Sequence, residues 1–148
     1  MKSVSTNLGD AYPIICETLN NNGSVTFTPH GTSMLPIIRD GIDSICIKKP
    51  EGKLKKYDVA FYRRKNGQFV LHRVIGENKN GYVLCGDNQV IKEHGVTDDM
   101  IIGVLAEIYP DNVTDKAILC NSFKYRIYSF FRVKSRIIRY CVAKAKRY

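Results

Sequence analysis

The chain lacks tryptophan, and its cysteines lack any pairing pattern. The number of cysteines, five, is odd, and no two of them stand at a C-x-x-C spacing. These features argue against a disulfide framework and against a structural zinc site, and they are typical of a reducing compartment. The five are widely separated, at Cys16, Cys46, Cys85, Cys120 and Cys141.

Long apolar runs are also absent. Unbroken apolar stretches, such as residues 104–106, are only a few residues long, whereas a membrane-spanning helix needs about 20. No segment with basic, apolar and small-residue regions opens the chain, so the sequence predicts no signal peptide. We therefore expect a cytoplasmic protein that does not cross a membrane by itself.

Acidic residues are missing from one part of the chain. The 148 residues carry a formal net charge of +9, but residues 1–115 hold 13 Lys and Arg against 14 Asp and Glu. Residues 116–148 hold 10 Lys and Arg and no acid. The sequence thus predicts a near-neutral domain over residues 1–115, long enough to bury a core, and a basic tail over residues 116–148.

The spacing of apolar residues changes twice along the chain. Apolar positions between Leu8 and Leu19 recur at helical spacing and end before residues 20–23, Asn-Asn-Asn-Gly. From Val25 onward apolar and polar residues alternate, which predicts strands near residues 25–27, 44–47, 58–63, 68–75, 81–85 and 100–109. Asn-Gly pairs at residues 66–67 and 80–81 predict tight hairpins.

The predicted fold class is accordingly mainly β: an antiparallel sheet or partly closed barrel with a short N-terminal helix. From Lys116 the apolar residues return to helical spacing and are interleaved with Lys and Arg. This pattern predicts a basic amphipathic C-terminal helix.

Three separated segments contain residues suited to hydrolysis: Ser33 within Gly-Thr-Ser-Met-Leu-Pro, His72 within Leu-His-Arg-Val, and Asp87 within Gly-Asp-Asn. A serine hydroxyl is a weak nucleophile that needs a neighbouring base and a group that orients the base. Taken singly, Ser33 and Asp87 are ordinary turn residues and His72 an ordinary strand histidine. Together the three segments could supply a nucleophile, a base and an orienting carboxylate.

In that order the motifs resemble the signal peptidase I superfamily, which also includes the self-cleaving SOS and phage repressor peptidases. The match covers roughly residues 24–108 and includes the Tyr-Asp-Val-Ala segment at residues 57–60. Bacterial signal peptidases and repressor peptidases use a lysine base, whereas the endoplasmic-reticulum and archaeal type has a histidine. Because His72 stands at that position, the chain is most similar to the histidine type.

This resemblance implies a signal-peptidase-like fold in which Ser33 is the nucleophile and His72 the general base. Histidine suits the second role because its unperturbed pKa lies close to neutral pH. The substrate would be a peptide or protein with a leader-like segment. Members of the superfamily usually prefer small side chains before the scissile bond. The expected activity is that of a serine endopeptidase.

Two positions depart from the superfamily pattern. In the histidine type, acidic residues occur in the Gly-Asp-Asn motif and six positions later; these positions hold Asp87 and Glu93, and either could orient His72. We favour Asp87 as a site residue and leave the orienting role open. Gly31 stands where many signal peptidases carry a serine that helps to stabilise the oxyanion. The backbone N–H of Ser33 or the hydroxyl of Thr32 could replace it.

No cofactor or metal is implied. His30, His72 and His94 share no recognised ligand spacing, and neither a P-loop nor a dinucleotide-binding fingerprint is present.

The basic segment 122–148 has two plausible uses. It could lie on an anionic membrane surface as a peripheral helix, or it could pack on the domain through its apolar side. Nucleic-acid binding is a weaker interpretation because no reading module is visible. Membrane-bound signal peptidases usually have an N-terminal membrane anchor, which is missing here. A leader-trimming peptidase at the cytoplasmic face of the inner membrane would combine these features.

Two other classes of function stay open. One is a noncatalytic module of the same fold that holds an extended peptide by strand addition. The other is a transcription regulator related to the self-cleaving repressors. About thirty residues precede Ser33 and contain one predicted helix, which is too little for a helix-turn-helix domain.

Overall fold

The computed structural model of the protein describes residues 7–147. Its helices are α1 (Leu8–Asn20), α2 (Phe123–Lys134) and α3 (Arg136–Ala145). Its strands are β1 (Ser24–Phe27), β2 (Ser44–Lys48), β3 (Val59–Arg63), β4 (Phe69–Asn78), β5 (Gly81–Cys85), β6 (Glu93–Val96), β7 (Ile101–Tyr109) and β8 (Ile118–Leu119).

The strands form one antiparallel sheet in the order β1-β2-β7-β3-β4-β5-β6, and β8 pairs with β7. The predicted antiparallel sheet, N-terminal helix and C-terminal helical segment are therefore confirmed. The sheet is open, with β1 and β6 at its edges, and is not a partly closed barrel. None of the helices within residues 7–147 has the length and apolar character needed to cross a bilayer.

Both predicted hairpins are present. β3 pairs with β4 around the turn that contains Gly67, which has a φ of +89°. β4 pairs with β5, and Asn78 lies opposite Gly81. The turn is therefore formed by residues 79–80, and Gly81 is the first residue of the following strand. Gly81 also approaches β6: a side chain there would place its Cβ 2.5 Å from the carbonyl oxygen of Val96.

Strand β6 was not predicted from the sequence. Its residues, Glu-His-Gly-Val, lack an alternating apolar pattern and include a glycine at positive φ. Pairing with β5 creates the strand, since Tyr82 lies opposite Val96 and Leu84 opposite Glu93. This pairing brings Glu93 to the edge of the sheet beside the predicted site.

The central strands are buried on both faces. Val59 and Phe61 contribute to a core that α1 covers, whereas Ala60 and Tyr62 on the same strand contribute to a second core. Successive strand residues point to opposite faces, so β3 supplies both cores at once. The same alternation on β4 separates His72 from Arg73.

The C-terminal segment differs from the single helix predicted from Lys116. Residues 118–119 form β8, the first helix begins at Phe123, and the helical segment is interrupted at Ser135. The Ser135 hydroxyl donates to the carbonyl oxygen of Arg132 at 3.0 Å, and Arg139 Nη1 donates to the same carbonyl at 3.0 Å. Such side-chain bonds to the backbone compete with helix continuation. One side of α2 packs on the domain, where Tyr125 and Ser129 are buried.

Gly103 on β7 provides a test of this packing. An added Cβ would collide with Ile47 Cγ2, a fully buried atom, and would lie 3.0 Å from the Lys48 carbonyl oxygen. We expect Gly103→Ala to lower the free energy of unfolding by about 1–3 kcal/mol, as overpacked cores do.

Gly76→Ala is the matched control, because Gly76 is also a strand residue but has open space around the position of a Cβ. Urea unfolding of both variants measures the difference. Equal urea midpoints for Gly103→Ala and Gly76→Ala would contradict the close packing of β7 against β2 at Gly103.

Candidate active site

Ser33 lies in the long loop between β1 and β2, and its side chain is half-buried. The loop is anchored on both sides of the serine, because Met34 and Ile38 are buried in the core with 4% and 3% exposure. Pro36 follows a cis peptide bond, and residues 33–37 form turns and no regular helix.

The turn after β5 holds the serine loop in place. The Asn88 backbone N–H donates to the Ser33 carbonyl oxygen at 2.8 Å, and Asn88 Nδ2 donates to the Thr32 carbonyl oxygen at 3.1 Å. Gly86 permits this approach, because a Cβ at that position would lie 2.6 Å from the Ser33 carbonyl oxygen. The Gly-Asp-Asn motif therefore contacts the Ser33 loop directly and holds it by hydrogen bonds.

His72 lies on β4 and is buried, with 5% exposure. Ser33 and His72 line the same cavity, which has a volume of about 240 Å³. Within residues 7–147 no hydrogen bond joins the Ser33 hydroxyl to the imidazole. The cavity brings together the two residues expected to react and leaves space for a few atoms of a bound substrate.

Burial lowers the pKa of His72 to about 4, because removal from water disfavours the charged imidazolium. The nearby Glu93 carboxylate acts in the opposite direction but does not outweigh burial. His72 is consequently neutral at pH 7 and able to accept a proton. It is a weaker base than a solvated histidine.

Tyr62 is a site residue that the sequence analysis missed. Its hydroxyl lies 3.4 Å from His72 Nδ1, and burial together with the Glu93 carboxylate raises the pKa of the phenol. In the β3–β4 register, Ala60 is opposite His72, so Tyr62 is the diagonal neighbour of His72 on the same face. Counting residues from the Asn66-Gly67 turn would have revealed this neighbour.

Asp87 does not contact His72. Its carboxylate accepts from Arg73 Nε and Nη2, both at 2.8 Å, and from the Tyr128 hydroxyl at 3.0 Å. Asp87 and Arg73 are almost completely buried, with 2% and 0% exposure. Because Arg73 follows His72 on β4, it points to the opposite face of the sheet and draws Asp87 to that face.

Glu93 lies closer to the face occupied by His72, where it forms an ion pair with Arg64. Partial burial alone would raise the pKa of the Glu93 carboxyl, but the Arg64 guanidinium outweighs it and lowers that pKa below its ordinary value. The carboxylate also lowers the cost of a charge on His72. Both carboxylates favour the charged form of His72, but the charge of Glu93 has the larger effect, and Glu93 also interacts with Tyr62.

The positions considered for the oxyanion lie on an exposed part of the loop. Gly31 has a φ of +116°, a conformation that residues with a side chain rarely adopt, and its N–H donates to Asp40 Oδ1 at 2.9 Å. Thr32 is exposed. Among the hydrogen bonds formed within residues 7–147, none uses the N–H of Ser33. That N–H remains available to a substrate oxygen.

The other two histidines differ in position. His30 borders the cavity that Ser33 and His72 line, and its Nδ1 lies 3.4 Å from Asp40 Oδ1. His94 is exposed on β6. Within residues 7–147 no group of three His, Cys, Asp or Glu side chains has a geometry suited to a metal ion.

Comparison of the chain with protein-family models, with curated protein sequences and with solved structures finds no significant match.

The lowered pKa of His72 predicts a pH dependence of stability. Between about pH 6.5 and 4 the unfolded chain binds a proton at this histidine and the folded chain does not. The free energy of unfolding therefore falls through this window as the pH is lowered, by roughly 3 kcal/mol in total.

Urea unfolding at a series of pH values measures this contribution as the difference between wild type and His72→Gln. The variant should lose less stability between pH 7 and pH 4, whereas His94→Gln, which replaces an exposed histidine, should follow wild type. Parallel curves for wild type and His72→Gln would contradict the assigned pKa.

The two acids should differ in their effect on stability. Asp87→Asn leaves the buried Arg73 guanidinium without its countercharge, so we expect a loss of about 3–5 kcal/mol in the free energy of unfolding. Glu93→Gln breaks a more exposed ion pair and should cost about 1 kcal/mol or less.

The measurement is the urea midpoint of both variants at neutral pH. Similar losses in the two variants would contradict the structural role of the Arg73–Asp87 pair.

Proposed function

We propose that the protein is a serine endopeptidase that resembles signal peptidases and cleaves a leader-like peptide segment. One observation carries the proposal: Ser33 and His72, which are 39 positions apart in the sequence, line one cavity. A nucleophile and a base in a shared cavity are the minimum required for acyl transfer.

The N–H of Ser33, which donates no hydrogen bond to any of residues 7–147, supports the same conclusion. In an acyl-transfer reaction, negative charge develops on the carbonyl oxygen of the substrate, and a backbone N–H near the nucleophile stabilises it. Gly31 provides no hydroxyl for this purpose. Removing one such donor from an enzyme typically lowers the rate by about 10²–10³, so slow turnover is expected here.

In the proposed reaction the Ser33 hydroxyl attacks the scissile carbonyl while its proton passes to His72. The resulting oxyanion accepts from the N–H of Ser33. His72 then protonates the leaving amine, which leaves an acyl group on Ser33. Water activated by His72 hydrolyses the ester and restores the free serine. In this mechanism Tyr62 and Glu93 are positioning residues, because they act through His72.

The low pKa of His72 has consequences for this mechanism. The imidazole is neutral over the whole range above about pH 4, so the base form is fully populated at neutral pH. Entry of a substrate that excludes water does not change this state. The imidazolium formed during the reaction would depend on the Glu93 carboxylate for stabilisation.

A second candidate is a noncatalytic module that binds an extended peptide. The observation that favours it is the absence, within residues 7–147, of a hydrogen bond between Ser33 and His72, together with the low basicity of the imidazole. Peptide binding without turnover would support this alternative.

Cleavage of a library of short peptides tests the proposal. We expect wild type to cleave a subset, and Ser33→Ala and His72→Gln to reduce turnover by at least about a thousandfold. The rate should fall only below about pH 4–5, where His72 becomes protonated.

Ser24→Ala and His94→Gln are the matched controls, because each replaces an exposed residue of the same type outside the cavity. Both should keep wild-type turnover. Loss of activity in the controls, or retention of activity in Ser33→Ala, would refute the assigned site. Circular dichroism of each variant establishes that it is folded.

A further inference from the structure

Helix α2 has two faces of different character. One face is fixed to the domain, where Tyr125 and Ser129 are buried with 5% and 1% exposure. Phe123, Ile127 and Phe130, spaced four and three residues apart, share another side of α2. This side borders a cavity of about 710 Å³ that α2 forms with residues 55–59, and the ring of Phe130 lies 6.3 Å from that of Tyr57. Phe123 is 78% exposed and Phe131, next to Phe130, is 64% exposed.

Large apolar residues are also exposed on α3, where Ile137 and Ile138 are 64% and 67% exposed. We define the outer face by its six large apolar residues: Phe123, Ile127, Phe130, Phe131, Ile137 and Ile138. Exposed apolar surface of this extent on neighbouring helices is typical of an interaction site.

The two helices also carry exposed positive charge. Six cations of α2, α3 and the residues just after them are exposed: Lys124, Arg126, Lys134, Lys144, Lys146 and Arg147. Of these, Lys144 and Arg147 line a cavity with Val90 and Ile91 of the domain. Residues 116–148 contain no acidic residue that could neutralise them. A second copy of the chain docked on this face would bring cations against cations, which is unfavourable. An anionic phospholipid surface supplies the opposite charge and an apolar layer.

We propose that the outer face of α2 and α3 docks the protein on the surface of an anionic phospholipid bilayer. The apolar side chains enter the boundary between headgroups and acyl chains, and the exposed cations contact the lipid phosphates. The helices lie along the surface, in agreement with the absence of a spanning helix in residues 7–147.

The inner side of the two helices holds the domain to this surface. Arg132 Nε donates to the Asp87 carbonyl oxygen at 2.8 Å, and Arg136 Nη1 donates to the Val90 carbonyl oxygen at 3.0 Å. Arg132 and Arg136, which form these bonds, are not among the exposed cations proposed to contact lipid. Docking therefore does not require the helices to leave the domain.

The inner side of α3, away from the outer face, borders the candidate active site. Ala143 lines a cavity of about 580 Å³ together with His72 and Glu93. Docking through the outer face does not rest on the proposed peptidase function.

Flotation with lipid vesicles tests the proposal with the full chain. Vesicles of phosphatidylcholine containing phosphatidylglycerol should carry wild type upward, and vesicles of phosphatidylcholine alone should carry much less. Phe131→Ser/Ile138→Ser should lower the partition coefficient about tenfold. Arg126→Gln should lower it about fivefold on anionic vesicles only.

Ile14→Ser is the matched control for Ile138→Ser, because Ile14 is also a helical isoleucine and has the same 67% exposure. It should float like wild type. Absence of flotation, or equal loss in Ile14→Ser and Ile138→Ser, would overturn the proposal. A dimer in analytical ultracentrifugation that Phe131→Ser/Ile138→Ser dissociates would overturn it in favour of self-association.

Two further readouts separate this proposal from the peptidase assignment. Ser33→Ala should float like wild type even if it cleaves nothing. Phe131→Ser/Ile138→Ser should cleave a soluble peptide at the wild-type rate without vesicles, since neither residue lines the cavity that holds Ser33. Loss of flotation in Ser33→Ala would contradict docking through the outer face.

Discussion

The buried ion pair between Arg73 and Asp87 connects the parts of this protein that matter for its proposed chemistry. Arg73 Nη1 also donates to the Tyr57 carbonyl oxygen at 2.9 Å and to the Ser129 hydroxyl at 2.7 Å, so one guanidinium joins β4 to the loop before β3 and to α2. Asn88, the residue after Asp87, holds the Ser33 loop through one backbone and one side-chain hydrogen bond. A buried ion pair contributes little net stability, but it specifies which groups must meet, because either charge left alone in the interior is costly. The position of Ser33 thus depends on the Arg73–Asp87 pair, which lies on the face of the sheet opposite His72.

This separation of faces gives the acids different roles. Asp87 is occupied by Arg73 and Tyr128, whereas Glu93 acts on His72 through its charge and through Tyr62. Burial makes His72 neutral and weakly basic, and the ion pair of Glu93 with Arg64 limits how far the carboxylate can compensate. The same principle applies to the C-terminal helices. Their inward arginines satisfy carbonyl oxygens of the domain, and their outward apolar and basic residues remain available for a partner.

Much of the fold could be predicted from local patterns. Alternating residues identified the central strands, and the Asn-Gly pairs identified both hairpins, because these features depend on neighbours a few positions away. Strand β6 escaped prediction because its pairing with β5 creates it. The interruption at Ser135 was also missed, since it depends on where the side chains of Ser135 and Arg139 find acceptors. Tyr62 was within reach of a register count across the first hairpin but has no motif of its own.

By itself, the sequence determined most of the strand and helix segments and the uneven distribution of charge, which follow from residue type and short-range spacing. The candidate nucleophile and base came from the resemblance of their motifs to signal peptidases. Only the tertiary structure decided that Ser33 and His72 share a cavity and that Asp87 forms an ion pair with Arg73. It also decided that Phe123 and Phe131 of α2 are exposed while Tyr125 is buried. Each of these depends on the distance between residues far apart in the chain. Such distances are set by strand pairing and by the burial of charges, which no local pattern specifies.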